Sequence, residues 1–346
     1  MALRVGVVRD DRYLEHWTGI IHPEHPNRLK YVYGMVDAEF SGTLINIEPQ
    51  PVTLADLEVV HTPTYVRTVI YTANRGLTHL AEDTPTSPGS YMAAWLAVGG
   101  CITALETLRS GECDVCFCLL RPPGHHAQRD RAGGFCIFNN LGVTARYALR
   151  KCDYKRILIV DWDVHHGNAL QSLFYGEKEV LYISSHYTNI YPYAGEWEET
   201  GAGEGEGYNV NMVLTKAIED LDLLYLYYEV VGEAIRRYQP DLILVPAGFD
   251  LHKQDIFGRA QITEKVFGML TRLILDRKRE IGDPPLLLAL EGGYRIPALV
   301  KSVREVLKVL TDPDSAVKLP HESTPTGEQL LRTARSFHSK YGVWAD

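Results

Sequence analysis

Residues 157–168 read ILIVDWDVHHGN. Four branched apolar residues in a row, Ile157 to Val160, show no helical spacing and predict a buried strand of the kind found in parallel sheets. The strand runs directly into polar residues. Side chains alternate along an extended segment, so Asp161, Asp163 and His165 are expected on one face and Trp162 and Val164 on the other. Two carboxylates and an imidazole then converge. These are donors that zinc and other small divalent ions accept, and a catalytic zinc site needs three protein ligands and one open position. The plainer alternative is a polar loop after a strand, and a third ligand has to come from elsewhere in the chain.

Outward from this stretch the same pattern recurs. Apolar runs at 115–120, 242–247 and 286–290 also end in polar clusters, GHH, GFD and EGGY, respectively. Helical stretches are expected near 54–75 (two segments broken at Pro63), 90–110, 141–151, 168–175, 215–238, 263–279 and 296–310. Further strands are expected at 5–8, 44–47, 180–184 and 208–212. Strand followed by helix, repeated this often, predicts an α/β fold with a parallel sheet covered on both faces. In such sheets, sites form outside the carboxyl ends of strands, where these clusters fall. Asp250 is the candidate third ligand, although a lone Asp after a strand also serves as a cap or turn residue.

A chain of 346 residues that is 45% hydrophobic can bury a large core, and no Pro/Gly/Ser-rich linker or charge run divides it. One domain over 1–346 is expected. The net charge of −9 argues against nucleic acid as a partner and is compatible with cationic substrates. The start, MALRVGVVRDD, has charges where a signal peptide needs an apolar core, and no apolar run reaches membrane-spanning length. The expectation is a cytoplasmic protein without a membrane partner. Cys113, Cys116 and Cys118 sit in an apolar run ended by prolines, which reads as a buried strand rather than a zinc or redox motif.

RPPGHHA, GFCIFNN, DWDVHHGN, PAGFD and LALEGGY, taken together and in this order, resemble the successive motifs of the zinc-dependent histone deacetylase family. That family includes bacterial and archaeal deacetylase-like amidohydrolases and acetylpolyamine amidohydrolases. The resemblance runs from HPEHPNR near the start to EGGY. It implies an arginase/deacetylase-like three-layer fold with a mainly parallel sheet of about eight strands. It also implies hydrolysis of an acyl amide, typically on a lysine side chain, using Zn2+ with Fe2+ as a possible substitute, and a structural K+.

By the same resemblance, Asp163, His165 and Asp250 bind the catalytic metal. His125 and His126 are the tandem histidines, with His126 the proton carrier and His125 in an electrostatic role. Asp161 partners His125, and Asn168 partners His126 where some members carry aspartate. Tyr294 is the oxyanion donor, with Gly292 and Gly293 read as a mobile turn on which it swings. Phe135, Gly134 and Tyr191 wall the acyl tunnel, Asp83 is a rim carboxylate, and Arg28 belongs to the inner cavity. Backbone groups around Asp161, Asp163 and His165, together with Ser184, are the potassium ligands. Phe257, seven residues after Asp250, stands where a polyamine-selective member carries glutamate. An aromatic residue there favours acyl-lysine peptides or small apolar acylamides over acetylspermidine.

Three alternatives stay beside this reading. An acetylpolyamine amidohydrolase shares every motif, and the glutamates Glu196, Glu198, Glu199, Glu204 and Glu206 are compatible with a polyamine, although a solvated loop explains them as well. An arginase-like ureohydrolase would need a second-metal D-x-D that GFDLH lacks. A catalytically inactive acyl-lysine-binding relative would have lost part of a set that is complete here.

Overall fold

The structure, a computed structural model, describes residues 3–214, 218–312 and 319–346. Among the described residues the chain forms ten strands: β1 (Val5–Val8), β2 (Ile45–Ile47), β3 (Thr78–Ala81), β4 (Thr84–Thr86), β5 (Val115–Cys118), β6 (Ile157–Asp161), β7 (Val180–His186), β8 (Asn209–Val213), β9 (Leu242–Ala247) and β10 (Leu286–Leu290). The α-helices are α1 (Asn27–Glu39), α2 (Leu54–Glu58), α3 (Pro63–Tyr71), α4 (Ser90–Arg109), α5 (Asn140–Lys151), α6 (Asn168–Phe174), α7 (Asp220–Tyr238), α8 (Glu264–Glu280), α9 (Ile296–Thr311) and α10 (Pro325–His338).

Eight strands make one sheet in the order β2-β1-β5-β10-β9-β6-β7-β8, and every neighbouring pair is parallel. Strands of such a sheet are covered on both faces, which is why β5, β6, β9 and β10 are buried at every position. Burying one branched aliphatic side chain contributes about 1.5–3 kcal/mol, so the run Ile157–Val160 alone commits this segment to the interior. The helices fall into two groups: α8 packs between α7 and α9, with α10 against α7 and α1 against α9, while α4 and α6 pack on α5. α4 is long and apolar enough to cross a membrane by length and composition, yet 67% of its most apolar window is buried inside the protein.

The apolar runs at 242–247 and 286–290 coincide with β9 and β10. Cys116 and Cys118 lie in β5 with Cys113 just before it, all three buried and free. Three expectations need correction or completion. β6 ends at Asp161, and a bend rather than a continued strand carries 162–165, so the convergence of Asp161, Asp163 and His165 does not come from strand alternation. The antiparallel pair β3–β4 was not foreseen, because its residues are few, polar and interrupted by Pro85. α10 also went unread, although Thr324 caps it, Pro325 opens it and Leu330, Leu331, Ala334 and His338 form its buried face. The start of the helix expected from 215 lies outside the described residues; its described part begins at Asp220.

Candidate metal centre and tunnel

The loops after β5, β6, β9 and β10 leave four adjacent strands in the middle of the sheet and meet at their carboxyl ends. His165 Nδ1 lies 3.0 Å from Asp163 Oδ1 and 3.2 Å from Asp250 Oδ2. The donor atoms of these three buried residues all lie within 4.8 Å of one another. Asp250 Oδ1 takes the Val164 amide at 3.0 Å, and its Oδ2 meets only His165 Nδ1 among hydrogen-bonding groups. Burial, reinforced by the neighbouring Asp163 carboxylate, pushes the Asp250 carboxyl above its usual range. Two buried carboxylates in contact with one imidazole fit a small divalent cation.

The approach of the carboxylates depends on backbone without side chains. A Cβ on Gly292 would sit 2.0 Å from Asp250 Oδ2 and 2.6 Å from Asp163 Oδ2, and the Gly292 amide donates to Asp163 Oδ2 at 2.9 Å. Gly292 is thus wedged beneath the two carboxylates, a close approach that only glycine permits. Asp255 reinforces this: its Oδ2 takes the amides of Tyr294 at 2.6 Å and Arg295 at 2.8 Å.

The tandem histidines lie with their rings 3.9 Å apart but in opposite electrostatic settings. His125 Nδ1 is 3.1 Å from Asp161 Oδ2. Burial works against its charge, yet the carboxylates of Asp161 and Asp163 outweigh burial and raise it to about 10. His126 Nδ1 is 2.9 Å from Asn168 Oδ1. Burial lowers it well below the ordinary imidazole value, and the neighbouring rings of His125 and His165 add to the effect. One imidazole is held charged and the other neutral.

A cavity of about 150 Å3 descends to these groups, lined by Asp83, His126, Gly134, Phe135, His165, Tyr191, Phe257 and Tyr294. Its walls are aromatic edges: Phe135 and Phe257 meet the Tyr294 ring at 5.5 and 5.2 Å, and Tyr191 meets the His126 ring at 5.0 Å. Tyr191 is 37% exposed, which puts it at the mouth. Gly134 has φ +56°, and a Cβ there would meet His126 at 2.3 Å, so glycine is required where the wall passes the histidine. Asp83, at the β3–β4 turn, accepts the Gly134 amide at 2.9 Å. A larger open depression of about 410 Å3 lies at the opposite ends of the strands; its Lys178 and Arg237 are already paired with Glu204 and Asp346.

Arg28 is fully buried and donates to the Gly293 carbonyl at 2.6 Å and the Glu291 carbonyl at 2.5 Å, with its guanidinium 4.8 Å from the Tyr294 ring centre. Glu24 pairs with both Arg28 and the equally buried Arg121. Breaking such a pair strands a buried charge at a cost of about 3–5 kcal/mol, so the turn before Tyr294 is firmly held. Glu24, Arg121, Asp255 and Glu291 were missed as site residues. The signal available in the sequence is the glutamate four residues before the arginine in HPEHPNR, an i,i+4 pair. Ser184 pairs in register with Asp161, and its Oγ is 2.8 Å from His186 Nδ1. Of the loop glutamates, Glu199 turns inward to accept the Gly195 and Glu196 amides and bonds Gln171, and none lines the cavity.

The histone deacetylase domain model matches residues 22–310. The chain belongs to the histone deacetylase family. Among relatives of this deacetylase-family chain, a probable deacetylase of Archaeoglobus fulgidus is 34% identical over 294 residues, 84% of this chain and 81% of the relative. The histone deacetylase-like amidohydrolase of Pseudomonas aeruginosa is 32% identical over 304 residues, 86% of this chain and 79% of the relative. Histone deacetylase 15 of Arabidopsis thaliana is 35% identical over 311 residues, 88% of this chain but 55% of the longer plant protein. The crystal structure of the HDA15 HD domain superposes with a TM-score of 0.91 at 32% identity, covering 99% of this chain and 95% of that one. This deacetylase-family chain is a hydrolase, on the mainly parallel eight-stranded α/β fold expected of it.

Proposed function

We propose that the chain is a zinc-dependent deacylase that removes acetyl or other acyl groups from the side-chain amine of acyl-lysine in peptides, or from a similar acylated amine. The observation that carries this reading is a buried two-carboxylate, one-imidazole donor set at the floor of an aromatic tunnel that also presents His126 and Tyr294. Asp163, His165 and Asp250 would hold the metal; iron(II) suits the same donors. When bound, the ion supplies Lewis acidity to the acyl carbonyl and lowers the pKa of a bound water.

The remaining steps belong to side chains of this chain. His126 donates its Nδ1 proton to Asn168 Oδ1, which leaves the Nε2 lone pair free to take a proton from the attacking water. Its lowered pKa keeps it neutral at neutral pH. The charged His125 stabilises developing negative charge, and the phenol of Tyr294, whose pKa burial raises well above 10, stays protonated and donates to the oxyanion. His126 then returns the proton to the leaving amine. A structural K+ held by backbone groups near Asp161, Asp163 and His165 with Ser184 belongs to this reading.

Purified protein assayed on acyl-lysine peptides and acetylpolyamines tests it, and no hydrolysis of either class by metal-loaded protein would sink it. Phe257 supports the peptide class, since its ring edge faces His165 at 5.2 Å and offers a polyamine no carboxylate. Phe257→Glu is therefore expected to raise acetylspermidine turnover and lower peptide turnover. A hundredfold preference of the unaltered protein for acetylspermidine would contradict the assignment.

Asn168→Asp tests the proton carrier. A carboxylate beside Nδ1 favours the imidazolium, so the His126 pKa rises and the acidic limb of kcat/KM moves to higher pH, by about one unit or more. An unmoved limb would show that another group titrates there.

A further inference from the structure

We propose that His125, Cys136 and Glu291 form a second divalent-metal site, suited to a zinc-class ion, whose occupation arrests the reaction. One donor atom from each of these three buried residues lies within 4.8 Å of the other two. Thiolate, imidazole and carboxylate together are a donor set for borderline-soft ions. None of the three belongs to the Asp163, His165 and Asp250 set, so the second site is distinct, though adjacent: His125 Nε2 lies 4.0 Å from Asp163 Oδ1.

Two further observations point to a ligand. Glu291 Oε2 takes the amides of Gly124 and His125 at 2.6 and 3.2 Å, but Oε1 is buried with no hydrogen-bond partner. A buried oxygen left unpaired carries the full cost of its desolvation, which a cation would remove. Asp161 engages His125 Nδ1, so Nε2 is the ligand nitrogen once the imidazolium gives up its Nε2 proton to solvent on metal binding, the carboxylate–histidine arrangement that orients metal-binding imidazoles. Cys136 Sγ contacts the Gly134 carbonyl at 3.3 Å and the His126 backbone amide, and on metal binding loses its proton to solvent.

Occupation converts His125 into a metal ligand and adds positive charge beside His126, which disables the pair. Excess metal should therefore inhibit. The inference rests on the catalytic reading of the first site, and cobalt(II) separates the two. The first set contains no sulfur, so a thiolate-to-cobalt charge-transfer band in the near ultraviolet reports the second site alone. The first equivalent of cobalt should support turnover without this band; further cobalt should bring in the band and loss of turnover with one midpoint. Cys136→Ser should abolish the band, keep basal turnover, and move inhibition to at least about tenfold higher cobalt, since even outer-shell partners of a ligand carry that much affinity. Asp250→Ala protein should keep the band. A band that persists in Cys136→Ser, inhibition without a band, or no band at any cobalt concentration overturns the second site. Absence of turnover at the first equivalent, with the band still formed later, would instead count against the deacylase reading and leave the second metal site standing as a binding site.

Discussion

Asp250→Ala protein is expected to lose its catalytic metal and all measurable turnover while still unfolding cooperatively. Catalytic zinc sites rest on three protein ligands, and this change leaves two, Asp163 and His165. The fold should tolerate it. Removing one of two crowded buried carboxylates relieves like-charge repulsion, and the loss is the acceptor of the Val164 amide, about 1–3 kcal/mol. Metal analysis of protein purified without added metal, with a thermal melt, decides the matter. Turnover surviving in the variant would refute the assignment of Asp163, His165 and Asp250 as the catalytic set.

Tyr294→Phe should lower kcat by about a hundred- to a thousandfold, the usual cost of one preorganised oxyanion donor, with metal content and KM little changed. The substitution is conservative in every other respect: the ring remains under the Arg28 guanidinium and between Phe135 and Phe257, and Asp255 still holds the backbone. Near-normal kcat would mean that a different group donates to the oxyanion.

The strands and the convergence of Asp163, His165 and Asp250 were legible because each central strand is an apolar run ended by a polar cluster, so β9 and β10 could be bounded to the residue. The bend after Asp161 was not, since Trp162 and Val164 keep the alternating pattern while the backbone departs from strand geometry. The anchors were hidden for a different reason. Glu24, Arg121 and Asp255 are charged residues that a sequence assigns to the surface, and what buries them is partners far away in the chain: Arg28 bonds a carbonyl 265 residues distant, and Glu24 an arginine 97 residues distant. Glycine permits both freedom and close approach, and the close approach of Gly292 to the two carboxylates is visible only once the fold places them.

The four loops that carry the chemistry spring from β5, β10, β9 and β6, which stand side by side at the centre of the sheet with β1 and β2 on one flank and β7 and β8 on the other. Fraying of either flank leaves these four paired to one another. Central strands of this kind are the last to exchange their amide protons, since they open only with the whole domain. Heat inactivation should therefore track global melting rather than precede it, and residual activity serves as a gauge of the fraction still folded.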